Sequence, residues 1–80
     1  MKIKILAFGI ARDFFKSNSI YIELKKNDTI TILKYQLEKQ FPQLLQLKSY
    51  LIAVNNEYAQ PNHCIKEEDE IAIIPPVSGG

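Results

Sequence analysis

From Lys2 to Phe8, apolar and polar positions alternate. Ile3, Ile5 and Ala7 fall on one side, and Lys2, Lys4, Leu6 and Phe8 on the other. A period of two is that of an extended strand, and Gly9 closes it. Ile10 to Phe15 reads as a connection with room for a helical turn, and Ser17-Asn18 as a turn. Alternation then resumes from Ser19 to Lys25, with Ile20, Ile22 and Leu24 inward and Tyr21, Glu23 and Lys25 outward. Two such runs joined by a short link predict a hairpin.

The period changes after Lys26. Asn27-Asp28-Thr29 is a helix start, since Asp28 or Thr29 can accept from the free N–H groups of the first turn. Ile30, Leu33, Leu37 and Phe41 recur at helical spacing and make one apolar stripe. Pro42 ends the helix by disfavouring the α conformation at Phe41. Leu44, Leu45 and Leu47 call for burial, as in a second short helix. Leu51 to Val54 predicts a short buried strand, Asn55-Asn56 a turn, and Glu57 to Ala59 a return beside it. Pro61-Asn62 breaks that return. Ile65 plugs the core ahead of a polar turn, Glu67-Glu68-Asp69, and Ile71 to Ile74 is the last strand.

The order is ββαββ with short helical turns. A helix that follows the first hairpin must cross the sheet and cover one face, and the last strand is expected to lie parallel to the first in the centre. That is the α+β β-grasp (ubiquitin-like) plan: a mixed sheet of four to five strands, with one main helix on one face. The expected division is a domain over residues 1–76 and a tail over 77–80. Eighty residues leave no room for a second domain, and such a chain buries only roughly 60–65% of its unfolded surface.

Composition narrows the function classes. No apolar run approaches the length of a membrane span. The charged opening Met1-Lys2-Ile3-Lys4-Ile5 does not resemble a secretory signal. A single cysteine, Cys64, cannot form an intramolecular disulfide and points to a reducing, cytoplasmic setting. Residues 1–40 carry eight Lys/Arg against four Asp/Glu, whereas residues 41–80 carry two against five. Neither half has the basic patch that nucleic acid requires. No nucleic-acid or membrane partner is expected.

Candidate chemistry is sparse. His63 and Cys64 are sequence neighbours that point to different sides in an extended segment, which argues against a nucleophile–base pair and for an incidental loop His beside a half-buried Cys. One His and one Cys are too few for a metal site. Glu67, Glu68, Asp69 and Glu70 lack the spacing and glycine of a calcium loop. No resident metal or cofactor is expected, and the chain is not equipped as an enzyme on its own. Two features remain. Pro75-Pro76 stiffen the exit from the last strand, and Val77-Ser78-Gly79-Gly80 follow. Two residues without side chains could enter a slot that excludes any Cβ, although on glycine alone a frayed end or a cloning remnant is the plainer reading. The second feature is the outward face. If the first and last strands are neighbours, Leu6, Phe8, Ala72, Ile74 and Pro76 form an apolar patch beside the tail's exit, of the kind that marks a protein interface. A β-bulge would reverse that assignment.

Leu51-Ile52-Ala53-Val54-Asn55-Asn56, and Glu68-Asp69-Glu70-Ile71-Ala72-Ile73-Ile74-Pro75-Pro76-Val77-Ser78-Gly79-Gly80, closely resemble the small subunits of molybdopterin synthase. So does the opening Ile3-Lys4-Ile5-Leu6-Ala7-Phe8 with Ala11-Arg12-Asp13. The resemblance spans essentially the whole chain. Its most specific part is Pro-Pro-Val-Ser-Gly-Gly. Glu68 departs from it, since the family commonly has glycine there; this bears on the turn and not on the tail.

The resemblance implies a sulfur carrier of the molybdenum cofactor pathway. An activating enzyme, a ubiquitin-activating-like adenylyltransferase, would use ATP to adenylate Gly80, and sulfur would replace AMP to give a thiocarboxylate. Val77, Ser78 and Gly79 would thread into the large (catalytic) synthase subunit of a heterotetramer, where sulfur passes to a cyclic pyranopterin monophosphate. Leu6, Phe8, Ala72, Ile74, Pro75 and Pro76 would form the partner interface. The substrate phosphate needs cations, yet the basic residue nearest Gly80 in sequence is Lys66, so the large subunit is expected to supply them. Alternatives are the sulfur carrier for thiazole synthesis, a protein-conjugating modifier, and an interaction domain with an inert tail.

Overall fold

The computed structural model describes residues 1–47 and 49–75. The elements are β1 (Lys2–Ala7), α1 (Ile10–Phe15), β2 (Ser19–Glu23), α2 (Ile30–Gln40), a 3₁₀ helix (Pro42–Gln46), β3 (Leu51–Val54), β4 (Glu57–Tyr58) and β5 (Ile71–Ile74). The strands lie in the order β2-β1-β5-β3-β4. β1 pairs parallel with β5 in the centre, and every other pairing is antiparallel. This is the β-grasp arrangement.

Local chemistry explains the element boundaries. The Thr29 hydroxyl accepts from the Ile32 N–H at 3.4 Å and caps α2. Asp28, the other candidate cap, instead accepts from the Lys25 N–H at 2.8 Å and closes the preceding turn. Phe41 leaves the helical region at φ −130° and ψ 78°, as a residue before proline should. Asn55 and Asn56 both adopt positive φ, 53° and 71°, which is the tight turn that suits the twist of a hairpin.

α2 lays Ile30, Leu33 and Leu37 across one face of the sheet, where Ile3, Ile5, Ile22, Ile52, Ile71 and Ile73 are buried with them. Ile65 is buried in the same core, as its position before the polar turn suggested. The Phe15 and Phe41 rings meet at 4.4 Å between centroids and join α1 to the end of α2. The Tyr50 hydroxyl donates to the Glu38 carboxylate, and the Lys34 ammonium lies 4.6 Å from the Tyr50 ring centroid. Burial and then the Glu38 carboxylate push the Tyr50 phenol far above its ordinary range. In the segment after α2 an expectation of burial fails: Leu45 is 66% exposed. The segment is a 3₁₀ helix, whose tight winding turns Leu44 into the core and the next residue away from it.

Candidate functional site

The helix covers one face of the sheet only. On the other, side chains line up across four strands. Leu6 is in register with Ala72, Ala72 with Ala53, and Ala53 with Tyr58. The two central positions are alanines, so the row is tall at its ends and low in the middle. Toward the tail, Phe8 follows Leu6 along the β1 direction, and Ile74 is in register with Leu51. The result is a groove of about 370 Å³ whose lining includes Leu6, Phe8, Tyr58, Ala72 and Ile74. Phe8 is 51% exposed, Leu51 49% and Tyr58 66%.

Leu6, Phe8, Ala72 and Ile74 are therefore brought together on the uncovered face, as the alternation required. Pro75 follows at the groove's end and is half-buried. Pro76, Val77, Ser78, Gly79 and Gly80 lie outside the described residues. Leu51, Ala53 and Tyr58 also belong to this surface and were not anticipated. Their signal is faint, because Leu51 to Val54 is an unbroken apolar run in which the two faces look alike.

The end of the groove away from Pro75 is polar and firmly held. The Asn55 side chain accepts from the Glu70 N–H at 2.9 Å and donates to the Asp69 carboxylate at 3.0 Å. Asp69 in turn accepts from the Lys66 N–H at 2.8 Å. This clasp ties the β3–β4 turn to the loop before β5 and sets Asn56 and Glu70 at the groove rim. It also builds the 66–69 turn without glycine at Glu68. Lys4 lines a hollow with Glu68, Asp69 and Glu70 at this same end. At the other end Phe8, Gly9 and Ile74, next to Pro75, carry no charge.

His63 and Cys64 lie elsewhere. Cys64 is exposed rather than half-buried, because its contribution is made by backbone: it bridges to Thr29, and the His63 carbonyl accepts from the Ile30 N–H at 3.1 Å. Among the described residues, no three His, Cys, Asp or Glu side chains are grouped to hold a metal ion. Among the described residues no helix is long and apolar enough to cross a membrane.

Comparison with known proteins adds a second line. The model of the ThiS family matches residues 5–80. The molybdopterin synthase sulfur carrier subunit of Dictyostelium discoideum is 40% identical over 83 residues, covering 99% of this chain and 96% of that protein. SAMP1 from Haloferax volcanii superposes with a TM-score of 0.85 at 20% identity, over 100% of both chains, which speaks for the fold. A chain in the complex of subunits 1 and 2 of molybdopterin-converting factor from Helicobacter pylori 26695 matches with a TM-score of 0.70 at 25% identity, over 100% of both chains.

Proposed function

The chain belongs to the ThiS family, and we propose that it is the sulfur carrier subunit of a molybdopterin synthase. The observation that carries this reading is the uncovered apolar groove ending at Pro75, the residue from which the chain leaves the sheet. A tail of four residues past Pro76 spans at most about 13–14 Å. It can deliver its end to an enclosed site only if the domain docks closely at the tail's base, and the groove is apolar there. The naming of the Dictyostelium relative favours the pterin pathway over thiazole synthesis. The complex containing the Helicobacter pylori relative favours a second synthase subunit as the occupant.

The proposed chemistry resides at Gly80. A carboxylate is a stable anion at neutral pH and a poor acyl donor. Attack of its oxygen on the α-phosphate of ATP, on an adenylyltransferase, forms an acyl-adenylate and releases pyrophosphate. A sulfide equivalent then displaces AMP and leaves a thiocarboxylate. In the large subunit the sulfur is transferred to a cyclic pyranopterin monophosphate, and water returns Gly80 to a carboxylate. Two transfers complete the dithiolene. Phe8, Gly9 and Ile74 beside Pro75 carry no charge, and this fits a division in which the partner supplies the cations for the substrate phosphate. The chain is then a co-substrate and a subunit, with no catalytic group of its own, and ATP is used on the activating enzyme.

Intact mass measurement tests the assignment. With adenylyltransferase, ATP and a sulfur donor, the chain should gain the mass difference of one oxygen replaced by sulfur. Fragmentation should place it on Gly80, and Cys64→Ser should behave identically. Sulfur found on Cys64 would falsify the assignment.

A further inference from the structure

We propose that Gly9 is a positioning residue, a seat for Pro75 that fixes the direction in which the tail leaves the sheet. The proposal rests on the carrier reading above and concerns how that carrier aims its end group. β1 and β5 run parallel and finish side by side, with Ala7 in register with Ile73. The chain must turn sharply after Phe8 to enter α1, whose Ala11 and Phe15 are buried in the core. Gly9 makes that turn at φ 58° and ψ −135°, a conformation nearly confined to glycine. It is held on both sides: the Ala11 N–H donates to the Phe8 carbonyl at 3.2 Å, and the Arg12 N–H to the Gly9 carbonyl at 3.1 Å.

The bare Cα of Gly9 faces the Pro75 ring. A Cβ built there in the L configuration would come 3.1 Å from Pro75 Cγ, tighter than ordinary van der Waals contact. The few tenths of an ångström required are shared between the pucker of the Pro75 ring and the backbone that carries it. Two positions 66 residues apart are thereby coupled. Phe8 faces the groove on one side of the seat, and Ile74 does so on the other. A shift at Pro75 changes the angle between the groove and the tail while leaving Leu6, Phe8, Ala72 and Ile74 in place. A displaced reacting end costs rate in the bound complex rather than affinity.

The test separates these effects by handedness. D-alanine at position 9 suits the observed backbone, which is the mirror image of an ordinary extended conformation. It directs its methyl group away from the L position that faces Pro75. The variants can be made by joining synthetic segments 1–63 and 64–80 at Cys64. For Gly9→Ala we expect a folded chain with a lowered melting temperature and nearly unchanged affinity for the large subunit. Its single-turnover sulfur transfer within the saturated complex should be slower by about tenfold or more. The D-alanine chain should melt at or above the wild type and transfer at the wild-type rate. Pro75→Ala should slow transfer, and adding Gly9→Ala to it should slow transfer no further. In the free wild-type chain, a nuclear Overhauser contact between the Gly9 Hα and Pro75 Hγ protons should be seen. Its absence overturns the seat. So does a wild-type transfer rate in Gly9→Ala, equal slowing by both enantiomers, or a loss confined to affinity, which would make Gly9 an interface residue. If the wild-type chain itself transfers no sulfur, the carrier reading fails and the seat's purpose fails with it. Wild-type transfer with Gly9→Ala unaffected removes the seat alone.

Discussion

The two faces of the sheet are made from alternate residues of the same strands and end in opposite states. Under α2, the inward positions of β1, β3 and β5 are mostly isoleucine: Ile3, Ile5, Ile52, Ile71 and Ile73, all buried. On the open face the same strands place Leu6, Ala72 and Ala53 in one row, with Phe8, Leu51 and, from β4, Tyr58 around them about half exposed or more. A face that a helix covers must be filled with bulk, since voids in a core are destabilising. A face kept for a partner has a low floor with tall rims. A small monomer gains nothing by holding such a surface in water, so its persistence points to an occupant. The apolar character also stops partway across: Lys2 pairs with Glu23 and Lys4 with Tyr21 at the β2 side. The groove is thus confined to the half of the open face that ends at Pro75.

Adjacent residues on β5 give the sharpest way to break this contrast. Ile73 is fully buried and Ile74 half-buried on the opposite face. Ile73→Asp should cost about 4–5 kcal/mol or more, as an unpaired buried charge does. That is a third or more of the about 4–12 kcal/mol total for a chain of this size, so the variant should melt far below the wild type and lose its native circular dichroism on mild heating. Ile74→Asp should stay folded, losing about 1 kcal/mol or less, and should weaken titrated binding to the large subunit by about 2–4 kcal/mol. Phe8→Asp should behave like Ile74→Asp. If Ile74→Asp unfolds the chain while its folded fraction binds normally, the two faces have been assigned the wrong way round.

A smaller effect would sharpen the boundary of the groove. Tyr58→Ala, in the groove lining, and Leu51→Ala, beside Ile74, each remove an open-face residue exposed to water in the free chain. Each should lower affinity for the large subunit by about 1–2 kcal/mol and leave the melting temperature nearly unchanged. If both leave affinity untouched, docking is confined to β1 and β5, and the row through Ala53 to Tyr58 serves another purpose.

That boundary is also where reading the sequence alone stops being sufficient. β1 and β2 are legible because charge and tyrosine alternate with isoleucine. α2 is legible because Ile30, Leu33 and Leu37 keep one helical stripe, and the parallel pairing of β1 with β5 follows from the crossover. From these, Leu6, Phe8, Ala72 and Ile74 could be placed on one face. β3 has no polar residue to mark its outward side, so Leu51 and Ala53 gave no sign of lying on the open face. Tyr58 depends on a two-residue strand whose pairing is set by the Asn55-Asn56 turn. Leu45 misled because hydrophobicity alone does not say whether a short helix winds in threes or fours. The Gly9–Pro75 contact and the Asn55–Asp69 clasp join residues distant in sequence, and no local pattern encodes such approach.

The smallest effect tests the polar half of the open face. The Met1 ammonium lies 2.9 Å from the Glu23 carboxylate and donates to the Leu24 carbonyl at 2.6 Å. The hydrogen bond from that amino group, then its charge, hold Glu23 below its ordinary value of 4.5. Folding therefore favours the ionised carboxylate. The stabilisation is complete above the unfolded pKa and is lost as pH falls through the lower folded value. Glu23→Gln should melt slightly below the wild type at neutral pH, and the difference should close as pH falls well below 4.5. Because the pair is solvated, added salt should shrink the difference as well. Affinity for the large subunit should not change, since Glu23 sits on β2, one strand beyond the groove. Thermal melts across pH and salt, run beside the binding titration, check all three expectations. A clear loss of affinity in Glu23→Gln would carry the docking surface across β1 to β2 and remove the division between the two halves of the open face.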